Sequence, residues 1–447
     1  MKWRKKNRKS DARKPSPLGK NYWRLWTAHA TSNLGDGIAA VAYPWLASAV
    51  TRSPLLIALV AVLSRLPWLV FTLPAGVITD RFDRRKIIVA MDISRGILAL
   101  VVAIAVTLEA STLPNLDEVG SGIELQTNWL LYSVLIVTAL LFGCAEVLRD
   151  NAAQTLLPSV VKEEQLESAN GKLWSVEFIT NSFVGPPLGS FILGVAIFLP
   201  FYFDSTTFFI SAALIATLIP SLKPVENIKK SEKLNFRAEI KEGFSWLWRH
   251  DLLRPMAIIL GSLNAIGALT MAVFILFAQE ILKTSVFVFA ILGTTGAIGG
   301  TLGGIIGPKI SARLGSGPSL YLTLIAGPIA SLIIGFTSSW PILWLLTAIT
   351  TNFAVLWNII TVSLRQSIIP SHLLGRVNSV YRFFAWGSIP IGTLIGGALV
   401  DVLANVTTRE YALRAPYFLA AALGFILFFF AAPKLTTEKI ERSRATS

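Results

Sequence analysis

Apolar residues dominate this chain in stretches of twenty or more, separated by short polar segments that carry most of the Lys and Arg. Residues 255–279, 284–308 and 314–364 contain no charged side chain. A helical crossing of a bilayer takes about 20 residues, so the last stretch is long enough for two. The pattern predicts twelve transmembrane helices, at 25–50, 53–78, 86–108, 128–149, 171–197, 200–221, 255–279, 285–307, 319–338, 341–364, 376–402 and 415–432. The expected fold class is an all-α membrane protein.

Composition narrows the function classes. Only 15% of the 447 residues are charged, against about 25% in soluble domains. The net charge is +14, which raises nucleic-acid binding as an alternative. The basic residues, however, lie between the apolar runs, and no nucleic-acid partner is expected. Residues 1–24 form a basic tail, with Lys2, Arg4, Lys5, Lys6, Arg8, Lys9, Arg13 and Lys14 opposed by Asp11 alone. The tail lacks the apolar core and cleavage site of a secretory signal. Basic clusters recur after the second span (Arg81, Arg84, Arg85, Lys86), after the sixth and after the last, at 433–447. The loop after the third span instead holds Glu109, Asp117, Glu118 and Glu124. The positive-inside bias therefore predicts that both termini are cytoplasmic, where basic segments meet anionic membrane lipids. One cysteine, Cys144, rules out an intramolecular disulfide, and the scattered His29, His250 and His372 give no metal site. No metal or cofactor is expected.

The polar interruption at 222–254 divides the chain into 25–221 and 255–432. Within it, Phe236, Ile240, Phe244 and Leu247 share one face of an expected amphipathic helix, with Trp246 and Trp248 suited to a membrane interface. The two halves also echo each other. Gln154-Thr155-Leu156-Leu157-Pro158 recurs as Gln366-Ser367-Ile368-Ile369-Pro370, followed by Asn170 and Asn378 respectively. An offset near half the chain is the mark of duplicated transporter halves, here two pseudo-symmetric six-helix bundles.

Between the second and third spans stands Gly76-Val77-Ile78-Thr79-Asp80-Arg81-Phe82-Asp83-Arg84-Arg85. This segment resembles the signature loop of the major facilitator superfamily, with Asp83 in place of its second Gly. Ser32-Asn33-Leu34-Gly35-Asp36-Gly37, Pro74-Ala75-Gly76 and Leu374-Gly375-Arg376-Val377-Asn378-Ser379 are similar to the branch that contains macrolide and enterobactin exporters. Gly185-Pro186-Pro187-Leu188-Gly189-Ser190 resembles the core of that superfamily's antiporter motif, with Ser190 replacing its last Gly. Simple helix packing is an equal reading of these small residues. The second-half counterpart of the signature loop is eroded to Pro308, Ala312, Arg313 and Gly315, so the first-half loop is expected to carry more of the gating.

Charges within the apolar runs are costly and mark candidate sites. Asp36 and Arg65 fall at similar depth in the first two spans and form a candidate pair. Asp36 either exchanges a proton or serves as a permanent ion-pair partner. Asp92 and Arg95, three residues apart, are expected to pair locally. Asp204 is expected to be solvated near the outer end of its span. Glu146, Arg149, Asp150, Glu177, Arg365 and Arg382 crowd the basic side. The resemblance adds Asp80 and Arg84, with Asp150 as partner and Arg382 on the opposing helix, as an inner gate. Trp45, Trp68, Phe71, Phe178, Phe183, Trp357 and Trp386 are cavity candidates, although for any one of them a lipid-facing or packed position is the more natural reading.

The resemblance implies a secondary transporter of the bacterial inner membrane. It would be monomeric and would export amphipathic small molecules, namely drugs, macrolide-like compounds or a siderophore, in exchange for protons. Import of a lysophospholipid or solute, or sensing without transport, are the competing readings. The sequence has no Gly-x-x-x-x-Gly-Lys-Ser/Thr loop for ATP and no set of residues arranged for catalysis, so an enzyme is not expected.

Overall fold

The computed structural model describes residues 18–115, 118–119, 125–162, 165–218, 236–370 and 373–445. Most of the basic tail, the first part of the central linker and His372 lie outside these residues, as do Asp117 and Glu124. The side chains of Gly76, Asp80, Arg81, Phe236 and Ile240 are also outside the described set.

Among the described residues, each of the twelve predicted segments is helical over most of its length. The first half of the chain supplies α1 (Lys20–Val50), α2 (Pro54–Val70), α3 (Thr72–Arg81), α4 (Arg84–Leu108), α5 (Trp129–Leu156), α6 (Leu166–Phe178), α7 (Gly185–Val195) and α8 (Leu199–Ala216). A helix across the linker, α9 (Phe236–Arg249), leads to α10 (Leu253–Met271), α11 (Val286–Gly293), α12 (Thr295–Leu314) and α13 (Ser316–Phe336). The chain continues with α14 (Trp340–Ile368), α15 (Leu374–Ala404), α16 (Arg409–Ala431) and α17 (Thr437–Ala445). Among the described residues, ten helical stretches are long and apolar enough to cross a membrane. The 31-residue α1 is long enough but is diluted by Asp36 and by the buried Ser32 and Asn33. The second predicted span is divided into α2 and α3 at Phe71. Pro74 cannot donate the backbone hydrogen bond that would carry a continuous helix across that point.

Helices alternate in direction, so the molecule has two ends. The proximal end holds the starts of α1 and α4 together with α9 and α17. The distal end holds the end of α1 and the starts of α2 and α16. In the first half α1 packs on α7 and α8, and α4 lies between α5 and α8. In the second half α10 packs on α15, α12 on α14, and α13 on α14 and α16. The principal contact between the halves is α2 against α15. The repeated pentapeptides end α5 and α14, which both begin with Trp and both stop just short of a proline.

Lipid chains are as apolar as leucine, so close packing rather than water exclusion holds such helices together. A side chain at Gly185 would place its Cβ 2.5 Å from the Cα of Gly37. Only glycine at these positions lets α7 touch α1. Pro186 follows directly, and the helix widens into a π turn over Ile179–Val184 where the proline disrupts the regular ladder.

The signature loop turns without a glycine. Asp83 has φ −61° and caps α4, its carboxylate accepting from the backbone N–H of Arg85 at 2.9 Å. Such a cap contributes about 1 kcal/mol. The second-half counterpart uses Gly315 at φ 83°, where an L side chain is strained.

Apolar packing differs between the ends. At the distal end a buried cluster joins Val41, Trp45 and Ile57 from the first half with Phe277, Phe289 and Tyr417 from the second, beside a smaller first-half cluster around Leu46, Leu131 and Phe201. At the proximal end there are two clusters. One holds Tyr22, Ile88 and Leu157, and the other Leu247, Met256 and Leu364. The linker helix α9 sits on the start of α15, with Leu247 buried. Phe244 stacks on Trp248 at 5.2 Å, and Glu242 pairs with Arg376 at 2.6 Å.

Candidate functional site

The charges within the first half form one buried chain. Asp36 on α1 pairs with Arg95 on α4 at 2.5 Å. Arg95 is almost fully buried, whereas the Asp36 side chain is 28% exposed. Arg95 also donates to Ser32 at 3.3 Å, and its guanidinium lies 4.0 Å from the centre of the Phe208 ring. Asp92, one turn before Arg95, accepts from Arg149 on α5 at 3.2 Å and from Ser211 on α8 at 2.7 Å. Its separation from Arg95 is 3.9 Å. Arg149 also reaches Asp150 at 3.4 Å. In a low-dielectric interior such pairs are strongly held, and breaking one strands its partner.

This arrangement revises three expectations. Asp36 takes Arg95 rather than Arg65 as its partner. Counting residues along a helix gives depth but not the direction a side chain faces, and Arg65 lies on an exposed face of α2. Asp92 and Arg95 do not form an isolated local pair, because Arg149 and Ser211 compete for the carboxylate. Asp204 is not solvated but has no exposed surface. It lies against α1, since a Cβ at Gly35 would fall 2.6 Å from its Oδ1.

The antiporter-like segment lies beside this chain of charges. Gly185 meets Gly37, and Gly189 meets the backbone of Ile38, immediately after Asp36. Pro186 is buried in the same contact. A shift of α7 therefore bears directly on the residue that carries Asp36.

The proposed gate residues separate. Asp150 pairs with its neighbour Arg149, and Glu177 with His29 at 3.1 Å. Arg365 stacks on Tyr381 at 4.0 Å and reaches Asn378 at 3.3 Å, while Arg382 is exposed. Arg84 opens α4, and Arg85 donates to the carbonyl of Ala216 at the end of α8. Arg24 similarly donates to Thr217 at 2.8 Å. Cations at these carbonyls suit the negative end of a helix dipole.

The distal end contains a polar network that sequence reading missed. Glu280 accepts from Arg52, and from Arg409 Nε at 3.0 Å. Arg409 also donates to the Arg52 carbonyl at 2.9 Å. Gln279 accepts from Arg52 and donates to Ser48, both at 2.8 Å. Ser53 donates to Asp401 at 3.0 Å. The network ties the α1–α2 connection to the second half.

The aromatic candidates are dispersed. Trp45 is buried against Phe289 at 6.3 Å and borders a cavity of about 1030 Å³ at the distal end, with Leu113, Pro187, Phe191 and Phe287. Asp36 and Arg95 do not line that cavity. Trp357 is buried in the proximal second-half cluster. Phe178 and Trp386 are exposed, Phe178 packing on Phe183 at 5.5 Å. Cys144 is half-buried.

A family model described as transmembrane secretion effector matches residues 13–446. The chain belongs to this family of the major facilitator superfamily. It is 25% identical over 390 residues to the multidrug efflux pump Tap of Mycobacterium bovis, covering 82% of this chain and 84% of Tap. It is also 25% identical over 411 residues to Tap of Mycolicibacterium fortuitum, covering 90% and 94%. A bacterial homologue of the iron transporter ferroportin, solved in an inward-facing state, superposes with a TM-score of 0.68 at 15% identity. The match covers 92% of this chain and 99% of the homologue. The chain is an integral membrane transporter of the efflux-like branch and not an enzyme.

Proposed function

We propose that this chain exports amphipathic small molecules in exchange for protons by alternating access between two six-helix bundles, residues 25–221 and 255–432. The substrate class is taken from the efflux-pump relatives. The observation that carries the coupling is the Asp36–Arg95 pair, a half-open carboxylate on a buried guanidinium, set one residue from the Gly37–Gly185 contact. Protonating Asp36 frees Arg95, and the same movement is felt by α7. The shared distal cluster and the split proximal clusters support an inward-facing state, closed outside and open to the cytoplasm. The distribution of Lys and Arg supports cytoplasmic termini in the bacterial inner membrane. The inner gate then forms in the outward-facing state, with Asp80, Arg81, Arg84, Arg85 and Asp150 facing Arg382 on α15. The indole N–H of Trp45 has no partner among the described residues and is buried in this conformation, so a substrate acceptor would reach it only after α1 and α7 move.

The test uses an efflux-deficient bacterium expressing wild type or Asp36→Asn, loaded with lipophilic dyes, macrolides and siderophores. Wild type is expected to lower retention in a way that a protonophore abolishes, and Asp36→Asn to lose that effect. Export that ignores the protonophore would overturn proton coupling. Substrate accumulation would reverse the assigned direction.

A further inference from the structure

A second carboxyl group shares the Asp36 site and has no role in the scheme so far. Asp204 lies in the second turn of α8, is fully buried, and has no hydrogen-bond partner on either oxygen among the described residues. Its neighbours are known from the helices that pack most closely on α8. From α1 come Gly35, in direct contact, the field of Asp36, and Tyr43, which lies within the field of Asp204 itself. From α4 comes the field of Arg95. The α7 sequence Gly185–Val195 contains no titratable side chain. On α8 itself, Thr207 turns its hydroxyl to the Asp204 carbonyl at 2.7 Å and does not serve the carboxyl group.

Arg95 is incompletely used. Its terminal nitrogens hold Asp36 and Ser32, but its Nε has no partner among the described residues. The guanidinium rests on Phe208, one helical turn from Asp204. Ser205 bonds the Gly96 carbonyl at 2.8 Å and holds this part of α8 against α4. An unpaired carboxylate is poorly tolerated in such surroundings, and neutralisation by a proton is the usual resolution. Arg149 takes the close contact with Asp92, which Arg95 meets only at 3.9 Å, and so Arg95 is left to serve Asp36 and Asp204.

We propose that Asp204 is a second proton-binding site, neutral in the conformation seen here, and that Arg95 alternates between Asp36 and Asp204. When Asp204 gives its proton to Asp36, Arg95 changes partner. Before and after, the trio holds one carboxylate, one carboxylic acid and one guanidinium, so its net charge is unchanged. Exchange with water passes through Asp36, whose side chain has exposed surface, while Asp204 has none. This inference deepens the proton-exchange reading and rests on it.

The test is infrared difference spectroscopy on the full-length protein reconstituted in lipid, with no substrate added. Wild type is expected to show a carboxylic-acid C=O band that Asp204→Asn lacks. Asp204→Glu is expected to shift the band, and serves if the Asn variant does not insert. Asp36→Asn is expected to lose the same band, because Arg95 then turns to Asp204 and ionises it. An Asp204 band that persists in Asp36→Asn would reduce Asp204 to a static buried acid, and its absence from wild type would overturn the proposal outright. Loss of the inference leaves protonophore-sensitive export intact, whereas export that ignores the protonophore with the bands behaving as expected removes the coupling alone.

Discussion

The distal and proximal ends are built from the same helices but joined differently. At the distal end, Arg52, Glu280 and Arg409 link residues 228 and 129 positions apart. Glu280 is nearly buried between two guanidinium groups. A mixed apolar cluster lies beneath them. At the proximal end, Asp150 and Glu177 pair within their own half of the sequence, and each half has its own apolar cluster. An end held by buried, mutually dependent charges opens only when the network breaks as a unit. An end whose charges are satisfied within each half is free to part. This difference is what a transporter needs in one of its two states, with a discrete latch rather than a continuous deformation setting the balance.

The largest expected effect comes from removing the shared anion. Glu280→Gln leaves Arg52 and Arg409 facing each other, and losing one partner of a buried pair typically costs about 3–5 kcal/mol. The distal end is expected to open. A cysteine at the buried Ala49, in a Cys144→Ser background, should then react much faster with a membrane-impermeant maleimide. An unchanged rate would show that the network does not hold this end.

A steric change on α15 should act in the same direction with less force. A Cβ at Gly397 would fall 2.5 Å from Ala58 Cβ and 3.0 Å from the Pro54 carbonyl on α2. Gly397→Val is therefore expected to pry the ends of α2 and α15 apart, at about 1–3 kcal/mol of overpacking. At Gly387, nearer the proximal end of the same helix, the nearest atom is the mobile Leu69 Cδ1 at 3.3 Å. Gly387→Ala should be close to neutral in thermal melting and in the Ala49 probe. Equal effects at both glycines would remove the asymmetry.

Smaller effects are expected at the proximal end. His250 accepts the N–H groups of Leu252 and Leu253 on Nδ1, each at 3.2 Å, and so caps α10 as a neutral ring. Burial pushes its pKa below the ordinary histidine value, with Asp251 opposing. The cap is therefore fully stabilising above the ordinary pKa and is lost as pH falls through the lowered one. Protection of the Leu252 and Leu253 amides, read as exchange relative to the intrinsic rate at each pH, should fall as pH drops below the ordinary histidine value of about 6.5, and His250→Asn should abolish that dependence. The smallest change is expected from Glu242→Gln. Its partner Arg376 is substantially exposed, and such pairs contribute about 0–1 kcal/mol. Melting temperature and transport should stay near wild type.

Most of the helical framework was legible because bilayer-length apolar runs leave little choice of secondary structure. Asp36 was legible for the same reason, since a charge in such a run demands explanation. Its partner was not. Arg65 and Arg95 are both at plausible depth, and only the rotation of α2 and α4 about their axes decides between them. Asp204 lies near a helix end, which suggests closeness to water, whereas α8 begins packed against α1 and α4. The distal network escaped notice because Arg52, Glu280 and Arg409 fall at the edges of predicted spans, where charges are normally solvated. Asp83 shows a motif departure that the fold absorbs. The expected glycine is unnecessary at φ −61°, and the carboxylate caps α4.

The most direct test of alternating access measures both ends of one molecule. Spin-label pairs across α2 and α15 near Ser53 and Asp401, and across α5 and α15 near Asp150 and Arg382, report distal and proximal separations in lipid. As protonation of Asp36 is driven by lowering the pH, the distal distance is predicted to lengthen while the proximal one shortens, and Asp36→Asn should hold one distribution at every pH. Distances that stay fixed, or that lengthen together at both ends, would contradict the account.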